Sequence, residues 1–103
     1  MSKRERLYER PLRRPLDEDT KRAIDAEFNK RRSEIPIPTE LIWDAQEPQF
    51  TIQSTWLSLI VQFQNEQLIV DADLSFAARM FATEANRKLA INFIESMASE
   101  LGL

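Results

Sequence analysis

The chain has 103 residues and a formal net charge of −3, and it contains neither cysteine nor histidine. This length fits one domain with a single core. The absence of Cys and His removes disulfides, thiol nucleophiles, the commonest general base and the usual zinc ligands. A single glycine, Gly102, excludes glycine-rich phosphate loops. No apolar run has the length of a membrane span, and the charged start lacks the apolar core of a signal peptide. We therefore expect a cytoplasmic protein without a cofactor or a membrane span.

Positive charge is concentrated at the start of the chain. Residues 1–32 carry eleven Lys and Arg against seven Asp and Glu, whereas residues 33–103 carry three against ten. Two prolines and the lack of an apolar period in residues 1–16 argue against a regular element there. We expect residues 1–16 to form an extended basic arm on a single domain of residues 17–103. The arm is either a solvated tail or a docking arm for an anionic surface on a protein, a nucleic acid or a membrane.

An N-terminal helix is predicted from Asp17 to about Arg32. Acidic residues fill its first turn and basic residues its last turn, which suits the helix dipole. Its apolar stripe is narrow and consists of Ala23, Ile24 and Phe28. Such a stripe covers the rim of a core or contacts a partner.

The middle of the chain alternates apolar and polar residues, as β-strands do. This pattern predicts an antiparallel meander with strands at about 39–44, 49–53, 56–63 and 68–75. The apolar residues occupy odd positions up to Phe63 and even positions from Leu68, and a tight turn at Asn65-Glu66 accounts for this change. The expected cross-strand pairs are Trp43 with Phe50, Leu41 with Ile52, Ile52 with Leu57, Phe50 with Leu59, Phe63 with Leu68, Val61 with Val70, Leu59 with Ala72 and Leu57 with Leu74.

Four large apolar residues point to the other face of the predicted sheet. They are Ile42, Trp56, Ile60 and Ile69. A Trp and three Ile on an open sheet indicate a second contact. Two alternatives remain for this contact: the N-terminal helix folds over the face, or another subunit binds there.

Asp71 and Asp73 lie two residues apart on one predicted strand, so both point outward. Paired carboxylates can bind a divalent cation or serve acid/base chemistry. The calcium-loop pattern fails because Phe76 stands where glycine is required. A solvated sheet face is the favoured interpretation, and we predict no catalytic, metal-binding or cofactor-binding residue. An enzyme would need both carboxylates to line a pocket.

The C-terminal segment is predicted to cover the inner face of the sheet. From Phe76 onward, apolar residues recur every four positions and predict a helix of about 26 residues. Ser75 is the expected cap, and Thr83 is a second cap if the helix breaks near Ala82. The expected apolar row is Ala77, Phe81, Ala85, Leu89, Phe93, Met97 and Leu101.

The run VDADLSFAARMF at residues 70–81 resembles the strand-to-helix junction of the polyhydroxyalkanoic acid system (granule regulation) family. The predicted order of helix, four strands and helix is also similar, and so is a Trp late in the first strand, here Trp43. The likeness covers about residues 20–101. Ala82-Thr83 stand where family members often carry Lys-Gly, and the basic arm has no counterpart. The resemblance implies a non-enzymatic accessory protein associated with polymer granules, and it transfers no catalytic residue.

These patterns predict an α+β domain with an N-terminal helix, a four-stranded antiparallel meander and a long C-terminal helix on one sheet face. We expect a non-catalytic accessory protein that binds a protein partner, self-associates as a homo-oligomer or joins a larger assembly. The alternative is a nucleic-acid-associated protein that binds nonspecifically through the arm. The acidic body and the lack of an aromatic pair on a basic surface disfavour base stacking. The predicted contact residues are Arg4, Arg6, Tyr8, Arg10, Arg13 and Arg14 in the arm, and Trp56, Ile60 and Ile69 on the outer sheet face.

Overall fold

In the part of the chain that the structure describes, an antiparallel sheet packs with two helices, as the sequence predicts, but the sheet has one more strand than expected. The computed structural model describes residues 3–34, 39–54, 58–74 and 83–103. The elements in these ranges are β1 (Lys3–Pro11), α1 (Glu18–Arg31), a 3-10 turn (Arg32–Glu34), β2 (Glu40–Trp43), β3 (Gln49–Gln53), β4 (Ser58–Gln64), β5 (Gln67–Leu74) and α2 (Glu84–Leu101). The five described strands form one sheet in the order β1-β5-β4-β3-β2. The α+β class and the C-terminal helix are therefore confirmed, and the strand count of four is wrong.

The fifth strand, β1, forms where the sequence predicted an arm without regular structure. It pairs antiparallel with β5, and the register shifts between Arg6 and Tyr8, so Leu7 is the extra residue of a β-bulge. Leu7 and Tyr8 both pack against the core. This pair of neighbours breaks the alternation by which a strand is recognised. Glu5 and Arg10, which bond to groups of the C-terminal segment, are charged, so they do not supply an apolar period either.

Two of the three predicted hairpin registers are confirmed. The observed pairs that match are Trp43 with Phe50, Leu41 with Ile52, Phe63 with Leu68, Val61 with Val70 and Leu59 with Ala72. Asn65 and Glu66 have φ angles of 51° and 60°, which are typical of the two-residue hairpin turn that the sequence predicts there. The expected pair of Leu57 with Leu74 lies outside the described residues.

The register between β3 and β4 differs from the prediction by two residues. Phe50 lies opposite Val61 and Ile52 lies opposite Leu59, where the prediction paired them with Leu59 and Leu57. The connection between these strands is longer than the tight turn expected there. Because the shift is an even number of residues, the same side chains still face inward.

Both helices begin at a capping side chain, and the sequence predicts one of the two caps. Asp17 caps α1, and its carboxylate accepts a hydrogen bond from the backbone N–H of Thr20 at 2.8 Å. Thr83, the second predicted cap, begins α2. The predicted start of that helix at residues 75–82 lies outside the described residues. α2 ends at Gly102, whose φ of 69° is left-handed, as is common at helix C-termini.

The buried core lies between the inner sheet face and the two helices. It contains Phe50, Ile52, Leu59, Val61, Phe63, Leu68, Val70 and Ala72 from the sheet, Ile24 and Phe28 from α1, and Ile94, Met97, Ala98 and Leu103 from the C-terminal segment. The Trp43 indole N–H donates to Asp25 of α1 at 2.8 Å, which holds β2 under this helix. α1 therefore covers the inner face, and the alternative that it folds over the outer face is wrong.

The prediction that Leu89 covers the sheet is also wrong, because it is 60 % exposed. The buried positions of α2 are Ile94, Met97 and Ala98, all in its C-terminal half. Within the described ranges, neither helix is long and apolar enough to cross a bilayer.

Candidate interaction surface

The outer face of the sheet is the side opposite the two helices. Three cross-strand rows define it: Arg4, Asp73, Ser58, Gln53 and Glu40; Arg6, Asp71, Ile60, Thr51 and Ile42; and Glu9, Ile69, Gln62 and Gln49. Both described helices pack on the inner face, so they do not cover this surface. An antiparallel sheet can leave one face in water, and the amides and charges here suit that role. The three isoleucines of this face are not suited to contact with water.

Three isoleucines lie among the polar side chains of the outer face. Ile42 on β2 is 46 % exposed, and Ile60 and Ile69 are half-buried. Ile42 and Ile60 share one row, with Thr51 between them. The outward orientation predicted for Ile60 and Ile69 agrees with this register, while Trp56 lies outside the described residues. An uncovered sheet face that carries large aliphatic groups is a candidate contact surface.

Asp71 joins β1 to the rest of the outer face. The residue is only 7 % exposed. Its carboxylate accepts hydrogen bonds from Arg4 Nη2 at 3.1 Å, Arg6 Nε at 2.5 Å and Gln62 Nε2 at 3.0 Å. The bond to Asp71, with a second one to Glu9, raises the pKa of Arg6 above its ordinary value. A buried carboxylate is costly unless it is paired. Asp71 is therefore a structural group that holds the basic strand in place.

The arginines that hold Asp71 still face solvent on their other side. The side chains of Arg4 and Arg6 are 48 % and 49 % exposed. Both belong to β1, one edge strand of the sheet. Their charge is thus available to a partner along this edge even though each forms an ion pair within the chain.

Asp71 and Asp73 do not form the paired carboxylate site that the sequence leaves open. Asp71 is already surrounded by donors, and Oδ1 of Asp73 is buried with no hydrogen-bond partner. In the described part of the chain, no group of three His, Cys, Asp or Glu residues is placed to hold a metal ion.

Two further arginines of the predicted arm contact the end of α2. Arg10 Nη2 donates to the carbonyl oxygen of Leu103 at 3.2 Å, and Arg14 Nη1 donates to that of Leu101 at 3.0 Å. Carbonyl groups at a helix C-terminus lack intrahelical partners and favour nearby cations. Arg14 therefore caps α2 at its last residue, whereas Arg10 binds the residue that follows Gly102.

The remaining arm residues divide between the core and the solvent. Tyr8 is half-buried and packs against the core. Arg13 is exposed and forms no ion pair with another described residue. The structure thus spreads the predicted arm contacts over both sides of the sheet and does not gather them into one basic patch.

Glu40 is a member of the outer face that sequence reasoning missed. It is exposed on β2, the edge strand opposite β1. Its position two residues before Ile42 places it on the same face, so the period-two pattern contained the signal. The outer face consequently carries arginine at one edge and glutamate at the other.

The chain matches no family model, no curated protein and no solved structure. The resemblance to the polyhydroxyalkanoic acid system family stays a prediction.

Proposed function

We propose that this protein is a non-catalytic accessory protein that self-associates through the outer face of its sheet. The observation that carries the proposal is the apolar surface on this face: both described helices lie on the other side, and Ile42 is 46 % exposed. Ile60 and Ile69 extend the apolar surface toward the centre of the sheet. Burial of these side chains against a second copy removes apolar area from water, which drives association.

The size of the outer face suits a small dimer interface. Five strands at about 4.8 Å spacing, with about six residues each at about 3.4 Å, form a face of about 24 Å by about 20 Å. This is about 500 Å² per copy, and about 1,000 Å² when two faces meet. Specific interfaces begin at about that total area.

A second copy fits the charges of the face better than an anionic polymer does. The face carries Arg4, Arg6 and Glu9 at one edge and Glu40 at the other, so its charge is mixed and not uniformly basic, and Arg4 can pair with Glu40 of a second copy. Nonspecific nucleic-acid binding through the arm has less support, because Arg10 and Arg14 bind carbonyl groups of their own chain. Association with polymer granules stays a prediction of the family resemblance.

Arginine substitutions at two exposed apolar positions test the proposal. Ile42→Arg introduces a charge into the outer face, whereas Leu89→Arg introduces the same charge on α2, where the native side chain is even more exposed. Light scattering coupled to size exclusion measures the mass of each variant and of the native chain. We expect a dimer for the native chain and for L89R and a monomer for I42R, with unchanged circular dichroism. Dissociation by L89R and not by I42R contradicts the assignment of the outer face.

A further inference from the structure

Opposite charges lie at the two ends of one cross-strand row on the outer face. Arg4 on β1 and Glu40 on β2 close the row that also contains Asp73, Ser58 and Gln53. The Arg4 side chain is about half exposed although it contacts Asp71, and Glu40 is exposed. β4 is the third of the five strands, so it lies midway between these charges.

We infer that two copies pack their outer faces together about a two-fold axis that runs parallel to the strands and passes over β4. This inference rests on the self-association proposed above and specifies its geometry. The axis exchanges β1 with β2, so Arg4 of each copy lies opposite Glu40 of the partner subunit. Ile60 on the central strand lies against Ile60 of the partner subunit. The result is a ten-stranded sandwich with aligned sheets, in which the same patch of each copy forms the interface.

The charges in the row of Arg6 favour this axis over a two-fold axis perpendicular to the strands, which would also align the two sheets. An axis perpendicular to the strands places each strand over its own copy, so Arg6 meets the partner's Arg6 and Asp71 meets the partner's Asp71. Like charges in contact oppose association strongly. The parallel axis instead places Arg6 over the partner's Ile42, where the methylene groups of the arginine can pack, and Asp71 over the partner's Thr51. Within the row of Arg6, the parallel axis therefore brings no like charges together.

Two charge reversals test this geometry. In E40R alone, each new arginine faces the native Arg4 of the other copy, and in R4E alone, each new glutamate faces the native Glu40. We expect each variant to dimerise at least about tenfold more weakly than the native chain. In an equimolar mixture, one copy supplies two arginines and the other supplies two glutamates, so both cross-interface pairs return. The mixture is therefore expected to form heterodimers with nearly native affinity, measured by sedimentation velocity with one variant fluorescently labelled.

A second experiment does not depend on the contact between Arg4 and Asp71. The chain has no cysteine, so a single introduced thiol can be cross-linked only to that of another copy. Ser58 lies on β4 under the inferred axis, whereas Ser99 is exposed on α2. A short bis-maleimide is expected to join S58C into covalent dimers and to leave S99C monomeric.

The outcomes separate this geometry from self-association itself. Recovery in the mixture together with cross-linking of S58C supports the two-fold sandwich. A native dimer that shows neither recovery nor S58C cross-linking overturns the axis and leaves self-association in place. A native chain that stays monomeric overturns both proposals.

Discussion

The contact that holds the basic strand β1 on the sheet is the most direct target for a stability measurement. Asp71→Asn keeps the size of the side chain but removes its charge and one of its two acceptor oxygens. The native carboxylate accepts from Arg4, Arg6 and Gln62. The variant therefore weakens all three bonds at once, and it leaves two cationic groups beside a neutral amide.

The expected loss follows from the burial of the partners. A hydrogen bond to a charged group is worth about 1.5–3 kcal/mol net. Here the carboxylate is nearly buried, but the arginines are about half exposed and regain water when the partner is removed. We therefore expect D71N to lower the free energy of unfolding by about 2 kcal/mol. For a domain of this size, that is a fall in Tm of about 8–16 °C.

Asp73→Asn is the matched control, because Asp73 lies on the same strand and face. Its Oδ1 is buried without a hydrogen-bond partner among the described residues, so removal of its charge is expected to change stability by less than about 0.5 kcal/mol or to raise it. Urea unfolding of both variants is followed at one fixed protein concentration, since self-association adds to apparent stability. Hydrogen exchange shows whether the β1 amides lose protection in D71N. Equal stability of D71N and the native chain, or a larger loss in D73N, would show that Asp71 does not hold β1 on the sheet.

Three further substitutions test local features of the fold. Two hydrogen bonds from Thr20, the larger effect from its backbone N–H and the smaller from its hydroxyl, lower the pKa of Asp17 below its ordinary value of 3.8. The stabilisation that they provide is therefore present above pH 3.8 and is lost as the pH falls through the lowered pKa. Asp17→Asn keeps the cap but does not titrate, so its urea midpoint is expected to fall less between about pH 6 and pH 2; a slope equal to the native one contradicts this. Gly102→Ala places a side chain at a φ of 69° and is expected to lower the free energy of unfolding by about 1 kcal/mol in the same assay, whereas no change would argue against the left-handed cap. Glu66→Gly relieves a φ of 60° in the β4–β5 turn and is expected to raise stability by about 0.5–1 kcal/mol, so that a loss would contradict the turn conformation.

The sequence predicts the β4–β5 register because the turn between these strands has only two residues. Phe63 opposite Leu68 follows from apolar alternation on both sides of Asn65-Glu66, because a two-residue turn leaves one register. The β3–β4 connection is longer, and alternation fixes only which side chains face inward. Pairing of Phe50 with Leu59 or with Val61 satisfies that pattern equally, so the length of the turn had to come from the structure.

Sequence patterns do not predict β1, because the residues that it pairs with lie far away along the chain. Arg4 and Arg6 look like residues of a solvated arm until Asp71, more than sixty positions later, is placed beside them. The bulge at Leu7 removes the alternation that would otherwise mark the strand. Local periodicity contains no information about either feature.

The candidate surface was predictable in part. Alternation along β4 and β5 places Ile60 and Ile69 on the outer face, and the structure agrees. The narrow stripe of α1 left open which face this helix covers, and only the burial of Ile24 and Phe28 with the inner sheet residues decides it. That Glu40 lies at the edge opposite to Arg4 follows only from the strand order, in which β1 and β2 are the two edges of one sheet.

The molar mass of the native chain in solution decides whether two copies associate through their outer faces. Light scattering over a range of protein concentrations, at low and at high salt, compares the measured mass with the 12.1 kDa of one chain. Self-association through the outer face predicts a mass that rises with concentration to twice that value and remains there in high salt, because apolar burial at Ile42 and Ile60 is not screened. A mass of one chain at every concentration and salt level would contradict the claim.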